Sequence, residues 1–184
     1  MHVFFKTKEE IELFLSKLFF YCCPHCGRTG TMIRHGYLRW SDGPKRSGIR
    51  GWRIRCPSCN HHTGRDKTWS LRLGDTLRRR WFSARQLWSF IQLLLNGRSV
   101  KKNWEDACLK GFPSSLDTAY KVLRRLDLCQ TVLRAQLSAR GPPPEGKTGV
   151  PLFHVLSHMK EAFGVSSPIE AYQLSFQRDF LAAA

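Results

Sequence analysis

Three features of this sequence predict an α+β chain, with a small β-rich segment leading into an all-α region. Two cysteine pairs, Cys23-Pro24-His25-Cys26 and Cys56-Pro57-Ser58-Cys59, share a two-residue internal spacing. Short runs of alternating polarity occupy the interval from Tyr21 to Leu73. From Ser83 onward, apolar residues recur every three or four positions, which is the helical period.

Ahead of the cysteines, Thr7 to Phe20 reads as a short amphipathic helix. Ile11, Leu15, Leu18 and Phe19 fall on one face, and Glu9, Glu10, Glu12 and Lys17 lie opposite. Such an element is expected to cover the β-rich segment or to form a dimer contact.

Two cysteines separated by two residues can occupy two corners of one tetrahedral Zn²⁺. After a gap of 29 residues, the second pair supplies the other two corners. Proline fixes φ at each bend, and Gly27 tolerates the positive φ that follows a second ligand. The expected site is a Cys₄ zinc ribbon with ligands Cys23, Cys26, Cys56 and Cys59. Cys22 competes with Cys23 but lacks the spacing, and His61 or His62 could stand in for Cys59. His25 is expected to point outward. Cys108 and Cys129 sit in apolar helical patterns and read as core thiols. The chain has seven cysteines and charged residues throughout its first 21 positions, so a secretory signal is not expected. A reducing, cytoplasmic and nucleoid-associated setting follows, in which paired cysteines favour metal over disulfide.

The strands of the ribbon are expected at Thr31–Trp40, Trp52–Arg55 and Thr68–Leu73. Asp42-Gly43-Pro44 marks a turn, and a basic loop runs on to Gly51. A core this small needs the free energy of metal binding to fold.

The formal charge is +16 over 184 residues, and it is unevenly placed. Residues 1–20 are neutral overall, residues 21–80 carry a net +11, and residues 81–184 carry +5. Most of the excess is arginine, which pairs bidentately with phosphate and reads guanine edges. A field of this kind favours a polyanion. A membrane surface fits less well, since the basic segment lacks an amphipathic helical pattern and the apolar run Leu18–Cys23 is too short to span a bilayer. Nucleic acid is the expected partner, with Arg34, Arg39, Lys45, Arg46, Arg50, Arg53 and Arg55 on phosphates.

Ser83 is the expected N-cap of the strongest helix, in which Ala84, Leu87, Trp88, Ile91, Leu94 and Leu95 form one face and Asn96-Gly97 the stop. A shorter helix runs from Ser99 to Leu109, with Val100, Trp104, Ala107 and Cys108 inward. Gly111-Phe112-Pro113 ends it. Ser114 or Ser115 caps a third helix, with Leu116, Ala119, Tyr120, Leu123 and Leu126 inward and a continuation through Val132, Leu133 and Leu137. A short helix, a glycine turn and a basic helix form a helix-turn-helix-like pattern. Asp117, Thr118, Lys121, Arg124 and Arg125 are the outward positions, and Thr118, Lys121, Arg124 and Arg125 are the candidate DNA contacts. The alternative is a plain helical packing unit. Beyond Gly141-Pro142-Pro143-Pro144, two further helices are expected, at Leu152–Phe163 and Pro168–Leu181. His154 and His158 stand one turn apart, but no Glu of a metalloprotease motif lies between them.

The expected organisation is thus an N-terminal helix (1–20), a zinc ribbon (21–80), a helix-turn-helix-like domain (81–140), a linker (141–151) and C-terminal helices (152–184). Over residues 21–130 the chain resembles the zinc ribbon that opens insertion-sequence transposases, and the small zinc-ribbon, helix-turn-helix regulators encoded beside them. The residues carrying that resemblance are Cys23-Pro24-His25-Cys26, Arg34-His35-Gly36-Tyr37, Trp52 to Cys59 and Thr68-Trp69-Ser70. It implies zinc on the four cysteines and binding to transposon-end DNA. In that family a separate RNase H-like domain cuts the strands. Here the loop Ser41–Gly51 is longer than expected for the family, and a catalytic domain after the helices is not expected. The acids after residue 80 lie in helical or linker segments, whereas strand transfer needs carboxylates holding two metal ions on a sheet. The resulting expectation is a non-enzymatic, zinc-dependent, sequence-specific binder of double-stranded DNA from a mobile element, acting in end recognition or repression. A separate transposase subunit and a homodimer are further partners left open. The competing expectations are an RNA-binding or ribosome-associated ribbon, with Tyr37, Trp40 and Trp52 stacking bases, and a protein-interaction adaptor.

Overall fold

The computed structural model describes residues 2–39, 49–59, 67–78, 80, 82–97, 99–109, 115–145 and 149–182, without the side chains of residues 39 and 109. The chain divides into two compact units, Met1–Thr76 and Leu77–Ala184.

Among the described residues, the first unit is a four-stranded sheet with one covering helix. Its strands are β1 (His2–Phe5), β2 (Ile33–Arg39), β3 (Ile49–Cys56) and β4 (Lys67–Leu73), in the spatial order β1-β4-β3-β2. β2, β3 and β4 are antiparallel neighbours, whereas β1 pairs parallel to β4, with His2 opposite Ser70 and Phe5 opposite Leu73. No strand was expected at β1, since four residues carry too little alternation to signal one.

Register assigns the two faces of the sheet, because residues opposite one another point to the same side. Ile54 faces Trp69, and Trp52 faces Leu71. Their side packs against helix α1 (Lys8–Ser16) through Ile11 and Leu15. Thr7 caps α1 by accepting from the Glu10 N–H. The helix is shorter than expected, because Lys17 ends it and Leu18–Phe20 continues as a 3-10 turn. Leu18 is buried, but the tighter winding leaves Phe19 70% exposed, contrary to the inward position read from a continuous helix. Phe5, Phe14 and Tyr21 form a chain of ring contacts that ties β1, α1 and the turn together. Gly51 is required on β3, since a Cβ there would lie 2.2 Å from the Leu71 carbonyl oxygen.

The second unit contains, among the described residues, helices α2 (Ala84–Leu95), α3 (Val100–Leu109), α4 (Leu116–Ser138), α5 (Pro151–Phe163) and α6 (Pro168–Phe176). Ser83 and Gln86 close a capping box at the start of α2. On α4 the buried stripe is Ala119, Val122, Leu126, Cys129, Leu133 and Leu137. Tyr120 is 53% exposed and Val122 takes the inward place instead, while Leu116 and Leu123 are half-buried at the edge. The C-terminal helices do not stand apart: Leu152, Val155, Leu156, Ile169 and Tyr172 share one core with Trp88, Trp104 and Leu126. Arg140 fastens this arrangement. Its guanidinium lies 4.6 Å from the centre of the Phe163 ring and donates to Ser175 Oγ at 2.7 Å. α6 stops at Phe176, short of the expected Leu181, with Gln177 in a left-handed conformation. The turn Gly111–Pro113 expected between α3 and α4 lies outside the described residues.

Candidate metal centre

Cys23, Cys26, Cys56 and Cys59 come together, with all four sulfurs within 4.8 Å of one another. Two parts of the chain deliver them. The first knuckle is a tight reversal, in which Cys23 N–H donates to the Arg28 carbonyl at 2.9 Å and Gly27 N–H to the Cys23 carbonyl at 2.8 Å. A bridge between Cys22 and Thr29 closes its base. Gly27 has φ +69°, the left-handed geometry expected after the second ligand. Cys56 ends β3, and the 3-10 turn Pro57–Cys59 brings Cys59 back beside it.

The sulfurs fit a tetrahedral ion. Metal–sulfur bonds of about 2.3 Å place tetrahedral ligands about 3.8 Å apart. Cys23 and Cys59 sulfurs lie 3.5 Å apart, and those of Cys26 and Cys56 lie 3.7 Å apart. All seven cysteines are free thiols, so no disulfide competes. The His25 N–H donates to Cys23 Sγ at 3.4 Å, and the Thr31 hydroxyl lies 3.2 Å from Cys56 Sγ. Burial raises the Cys23 and Cys59 thiols above their ordinary range. Burial also opposes ionisation of Cys56, but hydrogen bonding with Thr31 and the neighbouring sulfurs outweighs it and brings that thiol down to about 7. A cation among the four would favour the thiolate at every one of them.

Cys22 is exposed, with its sulfur 3.1 Å from the Thr29 hydroxyl, and takes no part in the cluster. His25 is exposed, and His61 and His62 lie outside the described residues. Cys129 is buried in the helical core and Cys108 half-buried against it. His158 is buried on α5, while His154 contacts the Pro144 carbonyl, so the two do not form a site.

The candidate DNA-contacting residues divide by position. Arg34 on β2 and Arg53 on β3 are exposed, and Arg55 is half-buried. Arg50 is buried, so it is no surface cation. Arg39 ends β2, and Lys45 and Arg46 lie outside the described residues. On α4, Arg124 is exposed, Thr118 is half-buried, and Lys121 pairs with Asp117 at 2.5 Å. Arg125 Nε donates to the Leu181 carbonyl at 2.7 Å, so its guanidinium helps hold the C-terminal segment.

The sequence reading missed Thr31, whose partner lies 25 residues away and leaves no local signal. No helix among the described residues is long and apolar enough to cross a membrane. No protein-family model, no curated protein and no solved structure matches the chain.

Proposed function

We propose that this chain is a zinc-dependent, sequence-specific DNA-binding protein of a mobile element, acting in transposon-end recognition or repression rather than in strand cutting. The observation that carries the proposal is the cluster of four sulfurs at the end of β3, the strand that also holds Arg53 and Arg55. Four thiolates at tetrahedral spacing are the donor set of structural zinc. Bound zinc would supply the folding free energy that the small core lacks. The chain's own residues then do the binding: arginines of the ribbon hold phosphates, and α4 presents Thr118, Lys121 and Arg124 to base edges or backbone. A recognising role also agrees with the acids beyond residue 80. Glu105, Asp106, Asp117, Asp127, Glu161 and Glu170 all lie on helices.

Metal analysis of the purified chain should give one zinc per molecule. Fluorescence anisotropy at fixed salt should rank duplex DNA above single-stranded DNA and RNA. Cys26→Ser should lose both the metal and the binding, and a metal-free Cys26→Ser variant that still bound duplex normally would end the proposal. A second reading, RNA binding, draws on Tyr37, which is half exposed beside Trp52 with ring centres 6.5 Å apart. Preference for RNA in the same assay would establish it instead.

A further inference from the structure

The four strands of the first unit contain seven basic residues (Arg34, Arg39, Arg50, Arg53, Arg55, Lys67 and Arg72) and no carboxylate. The acids of the neighbouring segment, Glu9, Glu10 and Glu12, are all on α1 and exposed. α1 packs on the side of the sheet that carries Ile54, Trp69 and Leu71. Arg53 and Arg55 alternate with Ile54, so they project from the opposite side. Register places Ser70 beside Arg53 and Thr68 beside Arg55 on that same side.

This back face has two ends. Toward Gly51 it is closed, with Phe4, Leu38 and Arg72 all buried. Toward the cysteines it is open: Arg53 and Thr68 are exposed, and Arg55 and Ser70 are half-buried. Gly36 lies opposite Arg53 on β2, and without a side chain it leaves that guanidinium uncovered. The neighbour of Arg55 on β2 is Ile33.

From this geometry we infer that the open end of the back face, Arg53 and Arg55 with the hydroxyls of Thr68 and Ser70, is a ledge for the phosphodiester backbone of duplex DNA. The inference rests on the DNA-binding reading and specifies which face of the ribbon meets the duplex. Guanidinium groups and hydroxyls in adjacent rows supply the donors that phosphate oxygens accept. A single strand would need rings on which unpaired bases stack. Among the described residues the open end offers no Phe, Tyr or Trp, because Tyr37 and Trp52 are paired on the α1 side. Arg34 shares that other side through its pairing with Ile54, and it is excluded from the ledge. The ledge ends at Cys56, so the metal centre fixes the strand terminus that holds Arg55 in register.

The test is a salt titration of duplex binding by the full zinc-loaded chain, followed by anisotropy of a labelled duplex. Each phosphate contact contributes about 0.9 to the slope of log affinity against log salt. Arg53→Gln/Arg55→Gln should flatten that slope by about 2, Arg53→Lys/Arg55→Lys should keep it, and Lys17→Gln, at an exposed position after α1, should leave it unchanged. Thr68→Val/Ser70→Ala should weaken binding several-fold at an unchanged slope. Zinc content and circular dichroism confirm that each variant is folded. If the wild type binds duplex steeply but the double glutamine variant keeps the full slope, the ledge is refuted while the DNA-binding reading stands. The same holds if Lys17→Gln flattens the slope as much. If the wild type ignores duplex or prefers RNA at equal salt, both fall together.

Discussion

The first unit arranges its interior around sulfur, whereas the second arranges its interior around hydrocarbon. Three of the ten buried core residues described in the first unit are the cysteines Cys23, Cys56 and Cys59, and Cys26 packs against them. The second unit buries Trp88, Trp104, Phe82, Phe90, Phe180 and a long row of leucines, with its one fully buried cysteine, Cys129, acting as a small apolar filler. Fully burying one large apolar side chain contributes on the order of 2 kcal/mol. The helical unit thus has far more apolar burial to fold on than the sheet unit, whose core is small and rich in sulfur.

Metal removal is the largest lever on this contrast. Stripping zinc with a chelator should cost the first unit on the order of 10 kcal/mol, by analogy with small zinc-dependent domains. Hydrogen exchange should then show β1–β4 and α1 losing protection while α2–α6 keep theirs. Equal loss in both units, or loss in neither, would remove the distinction. The converse experiment is Leu126→Ala. It opens a cavity at a fully buried position and should cost the second unit about 2–5 kcal/mol while leaving zinc content untouched. Denaturant melts monitored by helical circular dichroism would measure it. The finest test is Ser83→Ala. Loss of the capping box at α2 should cost about 1 kcal/mol, read as a small shift in the same melt with no change in duplex affinity.

What could be read from the sequence follows the range of the forces involved. The cysteine knuckles, the Gly27 turn and the Ser83 cap are local, and their residue types announce them. Three of the four strands were evident because Trp52–Arg55 and Thr68–Leu73 alternate and Thr31–Trp40 is rich in strand formers. β1 was not, since its pairing with β4 spans nearly 70 residues and its own four residues are uninformative. The orientation of α4 was half legible. Ala119 and Leu126 belong to either reading of its apolar face, and the choice of Val122 over Tyr120 is made by Cys129, Leu133 and Leu137 further along the same stripe. Helical periodicity continued past Lys17 puts Phe19 inward, but the winding tightens there and turns it out. The tether of Arg125 depends on a carbonyl 56 residues away, which composition does not reveal.

The parallel strand β1 has a consequence for solubility. By lying along β4 it occupies hydrogen-bonding groups that would otherwise form an open border, where a foreign strand could add and begin sheet growth. The borders left are β1, only four residues long, and β2, whose pairing with β3 is interrupted twice and which carries Arg34. Breaks in register and positive charge both discourage edge-to-edge joining. Residues His2–Phe5 thus act as a guard against aggregation, and a fusion or deletion that displaced them would expose the edge of β4.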